Sequence, residues 1–385
     1  MTPFTFNTAA SIQFGAGLLS SLGDIVKAQI GSRILLVTDP GMLTTGIVDR
    51  GLEALKAAGV EATLYSNVKA DPPEDIVLEA TQIAVEMNAD GIVGLGGGSS
   101  LDVAKLVALL APGTQDLKSA YGVGNAKGPR LPLLLVPTTA GTGSEVTPIS
   151  IVTTGANEKM GVVSPVILPD IALLDPELTL GLPSHITAAT GIDAMVHAIE
   201  AYASASPNNN PISRNLATEA LRLMGSALEK AVQDGSNIQA RSDMLLGSML
   251  AGQAFANSPV AAVHALAYPI GGHFHVPHGL SNALVLPHVL KFNIEVAPQP
   301  YAQIAPYAFP GLAKLEGPKR AEAFCQSMAD LSKCCGLQQS LREMNIPKDF
   351  LPKLASDAMN QSRLLINNPR ELTKEDVLSI YEAAW

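Results

Sequence analysis

Asp193 and His197 stand four residues apart in GIDAMVHAIE (191–200), a stretch whose other members are almost all apolar. On an α-helix that spacing lays one side chain over the other, so a carboxylate and an imidazole can reach a single point. A carboxylate near a helix start also suits the macrodipole, and a lone core histidine can be satisfied locally, so the pair by itself is compatible with a purely structural role. More imidazoles change the balance. Five of the seven histidines, His264, His273, His275, His278 and His288, fall within 25 residues of a largely apolar region, NSPVAAVHALAYPIGGHFHVPHGLSNALVLPHVLKFN (257–293). One carboxylate with two or three imidazoles is a donor set for Fe²⁺ or Zn²⁺, and an open coordination position would make the ion a Lewis acid. Spacing does not choose among the five.

A second kind of chemistry is suggested by glycine. GLGGGSSLDVAK (94–105) follows a strand-like run and opens a helical one. Backbone N–H groups at such a turn can cradle phosphate oxygens at the positive end of the helix. The segment departs from the usual dinucleotide fingerprint, because Ser99 stands where the third glycine belongs. PTTAGTGSE (137–145) also follows a strand and offers the hydroxyls of Thr138, Thr139, Thr142 and Ser144. Asp39, at the end of the first strong strand, could accept hydrogen bonds from both hydroxyls of an adenosine ribose and repel a 2′-phosphate, or could simply cap the turn before PGM. The three features together favour NAD over NADP.

The elements that must carry these groups follow from periodicity. Short aliphatic runs at 33–39, 62–68, 91–97, 131–139 and 171–175 alternate with helical patterns over 46–59, 73–87 and 101–111, which predicts a parallel sheet with helices on both faces. Segments 147–154 and 159–164, separated by GANEK, predict an appended hairpin. From about residue 187 the period becomes 3.6, with Ala- and Leu-rich stretches at 211–233, 238–256 and 319–336 and no further strand-like runs. The chain is accordingly divided into an α/β nucleotide-binding domain over 1–180 and an all-α metal- and substrate-binding domain over 181–385.

Composition narrows the partners. With 47% apolar residues, 385 residues can build two sizeable cores. Charged residues make up 16%, the net charge is −10, and no Lys/Arg cluster occurs, which argues against nucleic acid. The N-terminus lacks a basic region followed by an apolar one, and the apolar runs are far shorter than the ~20 residues a membrane helix needs, so neither export nor membrane insertion is expected. Cys325, Cys334 and Cys335 fit neither a disulfide framework nor a zinc knuckle and read as reduced core thiols of a cytoplasmic protein.

TGIDAMVHAIEAYAS, GLGGGSSLDVAK, PTTAGTGSEVT and HALAYPIGGHFHVPHGLSNALVLPHVLKFN closely resemble the signature segments of the iron-containing (group III) alcohol dehydrogenases. The resemblance covers nearly the whole chain and thins after about residue 295. It implies a dehydroquinate synthase-like architecture with an active-site cleft between the two domains, and a homodimer or larger homo-oligomer. It carries the metal ligands onto Asp193, His197, His264 and His278. It places Gly96, Gly97, Gly98 and Ser99 in the pyrophosphate loop with Asp102 just beyond, Thr138, Thr139 and Ser144 at the nucleotide, Lys159 near the nicotinamide, and Asp39 at an acidic position associated with NAD. One departure stands out: Tyr268 occupies the position, four residues after the third ligand, where many members have a proton-relaying histidine. Tyr268, His273 and His275 are therefore the candidates for the relay, beside exchange through water.

The expected reaction is NAD-linked hydride transfer between a small primary alcohol and its aldehyde at an Fe²⁺ or Zn²⁺ centre. Three alternatives are a hydroxy-acid dehydrogenase (4-hydroxybutyrate, for example) in which His273 or His275 would meet the carboxylate, a dehydroquinate synthase-like lyase using NAD transiently, and a binding protein with a vestigial site.

Overall fold

The computed structural model describes residues 3–155 and 158–385. They divide into two compact units, Asn7–Gly181 and Leu182–Trp385, the second joined by the first described residues through Phe6. The sequence pattern had put those first residues with the sheet; instead the Thr5 N–H donates to Asn208 Oδ1 at 2.9 Å in the helical unit.

In the first unit, six described strands form one sheet: β1 (Ser11–Phe14), β2 (Arg33–Val37), β3 (Glu61–Tyr65), β4 (Gly91–Gly96), β6 (Leu133–Pro137) and β9 (Ile171–Leu174), in the order β1-β9-β6-β4-β2-β3. Every pairing in it is parallel. The strands at its centre are buried on both faces, which is why they read as unbroken apolar runs. Successive side chains serve opposite cores. Ile34, Leu36, Val93, Leu95, Leu134 and Val136 join Leu22 and Val26 of α1 (Leu22–Gln29) and Val48 and Leu55 of α2 (Ile47–Ala57). Leu35, Val37, Ile92, Leu133 and Leu135 join Val77 of α3 (Glu74–Glu86) and Leu101 and Val103 of α4 (Gly98–Leu110). Gly94 lets α4 lie close on the sheet, since a Cβ there would stand 2.8 Å from both Ala104 Cβ and Leu135 Cδ2. After the one-turn α5 (Leu117–Ala120), β5 (Gly122–Val123) pairs with the hairpin of β7 (Ile149–Thr154) and β8 (Glu158–Val163). Residues 156 and 157 of the GANEK turn lie outside the described residues. The strand β1 was not anticipated: it is four residues long, only partly buried, and pairs along β9 alone.

The second unit is helical: α6 (Ser184–Ala203), α7 (Pro211–Gln233), α8 (Ile238–Asn257), α9 (Ala262–Phe274), α10 (His278–Ile294), α11 (Pro298–Ala308), α12 (Gly317–Cys334), α13 (Leu351–Met359), α14 (Ser362–Leu365) and α15 (Lys374–Ala384). Helix α6 packs against α7, α8 and α10 and is buried nearly all round, so its polar side chains have no solvent to turn to. Cys325 and Cys335 are buried thiols, whereas Cys334 is exposed. Among the described residues no helix is long and apolar enough to cross a membrane.

Candidate active site

The buried polar residues of α6 face donors from α9 and α10. Asp193 Oδ1 lies 3.9 Å from His197 Nε2, 3.8 Å from His264 Nε2 and 3.8 Å from His278 Nε2. Among the described residues these four form a group whose donor atoms all lie within 4.8 Å of one another. Spacing could not choose among the five clustered histidines; folding brings His264 and His278 together with α6. Local packing makes this possible. Gly279, beside His278 at the start of α10, sits so close to α6 that a Cβ would fall 2.4 Å from the Ala189 carbonyl oxygen and 3.2 Å from Asp193 Cβ. The His197 ring is sandwiched between Phe255 and His264, with centroids 4.3 and 4.8 Å away.

Asp193, His197 and His264 are buried, while the His278 side chain is 36% exposed and forms the open side of the group. Burial alone would raise the Asp193 pKa, but the imidazoles of His197, His278 and His264 and the Asn282 amide outweigh it and hold the carboxyl below its ordinary value. Asn282 Nδ2 donates to Asp193 Oδ1 at 2.5 Å and lies 3.3 Å from Nε2 of both His264 and His278. Its Oδ1 is buried without a partner.

Three imidazole nitrogens and a carboxylate oxygen converging in a largely buried cluster fit a divalent cation. Tetrahedral donors at bond lengths of ~2.1 Å sit about 3.4 Å apart, so the Asp193–imidazole separations of 3.8–3.9 Å would close by about half an ångström and the widest separation, within 4.8 Å, by more than an ångström. Glu200, unremarked in the sequence reading, also touches the group: one oxygen is 2.6 Å from His264 Nδ1 and the other accepts the Val263 N–H at 2.7 Å. A signal for it was present, since Asp193, His197 and Glu200 follow an i, i+4, i+7 spacing along one face of an apolar helix.

The relay candidates separate. Tyr268 is one turn beyond His264 on α9, and its ring lies 5.8 Å from that of His278. His273, nine residues from His264, is rotated by about 180° on the helix. Its Nε2 is 2.7 Å from Asp357 Oδ2, and Asp357 also accepts from Lys353 at 2.7 Å. His275 is exposed, in a left-handed conformation (φ 54°) past the end of α9.

In the sheet unit, Gly97 caps α4 at the edge of a cavity of about 450 Å³ lined by Asp39, Val68, Lys69, Gly97, Gly98 and Ser99. A Cβ on Gly97 would meet only Thr139, 3.7 Å away, whereas one on Gly98 would strike Thr142 Cγ2 at 2.7 Å. The first glycine therefore leaves backbone open to the cavity, and the second lets the 137–145 loop close over α4. Gly96 has a positive φ (152°), and a Cβ there would crowd Ser100 Oγ at 2.8 Å. The capping reading of Asp39 is met, since Oδ1 accepts the Met42 N–H at 3.3 Å; Oδ2 accepts from Ser100 Oγ at 3.2 Å, and the residue lines the cavity.

Other expected nucleotide contacts have protein partners. Ser144 Oγ donates to Asp102 Oδ1 at 2.6 Å, Asp102 Oδ2 accepts from the Ile151 N–H at 2.9 Å, and the buried Lys105 ammonium reaches Ser144 Oγ at 2.8 Å and the Ile149 carbonyl at 2.7 Å. Asp102 and Ser144 thus brace α4, the threonine loop and β7. Thr138 is buried, its N–H donating to the Gly96 carbonyl at 3.0 Å. Lys159 pairs with Asp71.

The family model for iron-containing alcohol dehydrogenase matches residues 9–176, and that for the C-terminal part of the Fe-containing alcohol dehydrogenase family matches 187–385. Long-chain-alcohol dehydrogenase 1 of Geobacillus thermodenitrificans is 41% identical over 379 residues, spanning 96% of this chain and 94% of that protein. The 1,3-propanediol dehydrogenase of Citrobacter freundii is 36% identical over 375 residues, spanning 97% and 96%. The crystal structure of a 1,3-propanediol oxidoreductase superposes with a TM-score of 0.95 at 34% identity over 100% of both chains. The chain belongs to the iron-containing alcohol dehydrogenase family, oxidoreductases that act on CH–OH groups.

Proposed function

We propose that the protein transfers hydride between a small primary alcohol and NAD, with a divalent iron or zinc ion held by Asp193, His197, His264 and His278. The observation that carries this reading is the convergence of four donors of the right types within 4.8 Å, open on the His278 side. When bound, the ion would supply Lewis acidity to an alcohol or carbonyl oxygen, and NAD would supply the hydride acceptor. The chain's own part is to bind and orient. Asp193 contributes the negative charge of the donor set, and the stacked His197 and His264 rings fix two donors against rotation. The apolar wall around α6 keeps water from three of the four ligands. Gly97 and the N–H groups opening α4 receive phosphate oxygens, Asp39 receives the adenosine ribose, and Tyr268, next to the exposed ligand His278, moves the proton.

Of the two histidines a hydroxy-acid carboxylate could meet, His273 is already engaged by Asp357 at 2.7 Å, which leaves His275 as the partner that the substrate panel must test. The family resemblance and the composition extend the reading to a cytoplasmic homo-oligomer, to be checked by sedimentation. The deciding experiment follows NADH formation over a panel of primary alcohols and hydroxy acids with iron- and zinc-loaded protein, beside His264→Ala. Turnover of alcohols by the wild type, with loss of metal and activity in His264→Ala, is expected. Full activity and full metal content in that variant would sink the reading, and absence of net NADH would point to the lyase.

A further inference from the structure

We propose that Glu200 is a positioning residue for the metal centre: its carboxylate holds the His264 proton on Nδ1 and thereby leaves the Nε2 lone pair to the ion. The inference rests on the metal reading above and assigns a role to a residue outside the four donors.

A neutral imidazole carries one N–H and one lone pair, and which nitrogen has the proton is set by what the ring faces. Glu200 is buried and sets Oε2 2.6 Å from His264 Nδ1, and an oxygen that accepts there calls for the proton on that nitrogen. Its other oxygen is committed to the Val263 N–H at 2.7 Å, one of the amides in the first turn of α9 that no helical carbonyl can reach. The two bonds from one rigid carboxylate fix both the start of α9 and the plane of the ring. His264 Nε2 is then left facing Asp193 Oδ1 at 3.8 Å and the Asn282 amide at 3.3 Å, with its lone pair turned into the donor cluster. Carboxylate support of this kind orients a ligating histidine and raises its basicity.

Glu200→Gln is a near-isosteric substitution that reverses the polarity of one of the two contacts. If the amide oxygen stays on the Val263 N–H, the NH₂ group faces His264 Nδ1 and drives the proton to Nε2, closing that donor. If the amide turns over, its oxygen still accepts from His264 Nδ1, but two donors meet at the Val263 N–H and the start of α9 loses its anchor.

The test measures zinc affinity of the metal-free protein by competition with a chromogenic chelator for wild type, Glu200→Gln, His264→Ala and the double variant, with thermal melts alongside. Glu200→Gln should weaken zinc binding about 10- to 100-fold, and should weaken it by less than about twofold where His264 is already alanine. A residue that merely packed α6 against α9 would produce the same loss in both backgrounds, and that result, or a Glu200→Gln affinity within twofold of wild type, overturns the inference while leaving the metal site standing. A wild type that holds no stoichiometric zinc overturns the metal reading and the inference together. Should Glu200→Gln fail to fold, histidine-selective nitrogen NMR of the metal-free wild type decides the matter: a proton on His264 Nδ1 before any metal is added supports the role, and a proton on Nε2 removes it.

Discussion

Alanine at position 97 separates the approach of a nucleotide to the backbone from the packing of the loop that offers it. Gly97 has φ −75° and ψ 178°, a conformation open to any residue, and an added Cβ would lie in ordinary contact with Thr139 at 3.7 Å. The fold should therefore accept Gly97→Ala, at a cost of about 1 kcal/mol for a poorer helix cap and a fall of a few degrees in Tm. The methyl group would, however, stand on the wall of the cavity beside Asp39 and Ser99, where the N–H groups opening α4 are free for an anion. A hydrogen bond to a charged group contributes about 1.5–3 kcal/mol. Losing one of them weakens NAD binding roughly 10- to 100-fold. Calorimetric titration with NAD, beside thermal melts, reads both quantities. Gly98→Ala is the counterpart, since its Cβ would strike Thr142 at 2.7 Å. Overpacking of this kind costs about 1–3 kcal/mol, and its first effect is on Tm. A Gly97→Ala protein that melts normally and binds NAD as well as the wild type would refute the assignment of phosphates to this turn.

Two further outcomes follow from groups near the sites. Burial pushes the Glu145 carboxyl up from 4.5 to about 7, against its own backbone hydrogen bond and the charge of Lys105. The folded protein therefore holds that proton more tightly than the unfolded chain. Stability should fall as pH rises from about 4.5 through about 7, by at most about 3 kcal/mol. Glu145→Gln should remove that loss, so its Tm relative to wild type should climb between pH 5 and pH 8; a difference independent of pH would show that Glu145 ionises freely when folded. Tyr268→Phe should lower kcat at least about 100-fold if the hydroxyl carries the proton, with NAD affinity unchanged. Undiminished turnover with the same pH profile would leave the transfer to water.

Much of the architecture was legible because it is written in local periodicity. The strands β2, β4 and β6 show as continuous aliphatic runs because both of their faces are covered, α7 shows as a long stretch at a period of 3.6, and α8 as a long run rich in Ala, Leu and Met. The strand β1 escaped because its sequence, SIQF, carries little of that signal; its partner β9 lies some 160 residues away in the chain. The types of the metal donors were equally plain, as a carboxylate and an imidazole one turn apart on an apolar helix and a cluster of histidines in a second apolar segment.

Contacts made at long range were not legible in the same way. The family resemblance puts Asp102 beside the pyrophosphate loop, and a hydroxyl-rich loop suggests Ser144 for the nucleotide; that the two are hydrogen-bonded to each other across 42 residues and brace the sheet unit was not legible. His273 read as a possible relay from its nearness in sequence to the ligands, but helical rotation turns it away and Asp357, 84 residues on, holds it. Residue type and periodicity thus specify which elements form and which chemistry they carry. Which histidines converge on Asp193, and that Glu200 supports one of them, depend on where α9 and α10 come to rest against α6, a distance governed by close packing such as that of Gly279 on the Ala189 carbonyl, and no one-dimensional pattern encodes it.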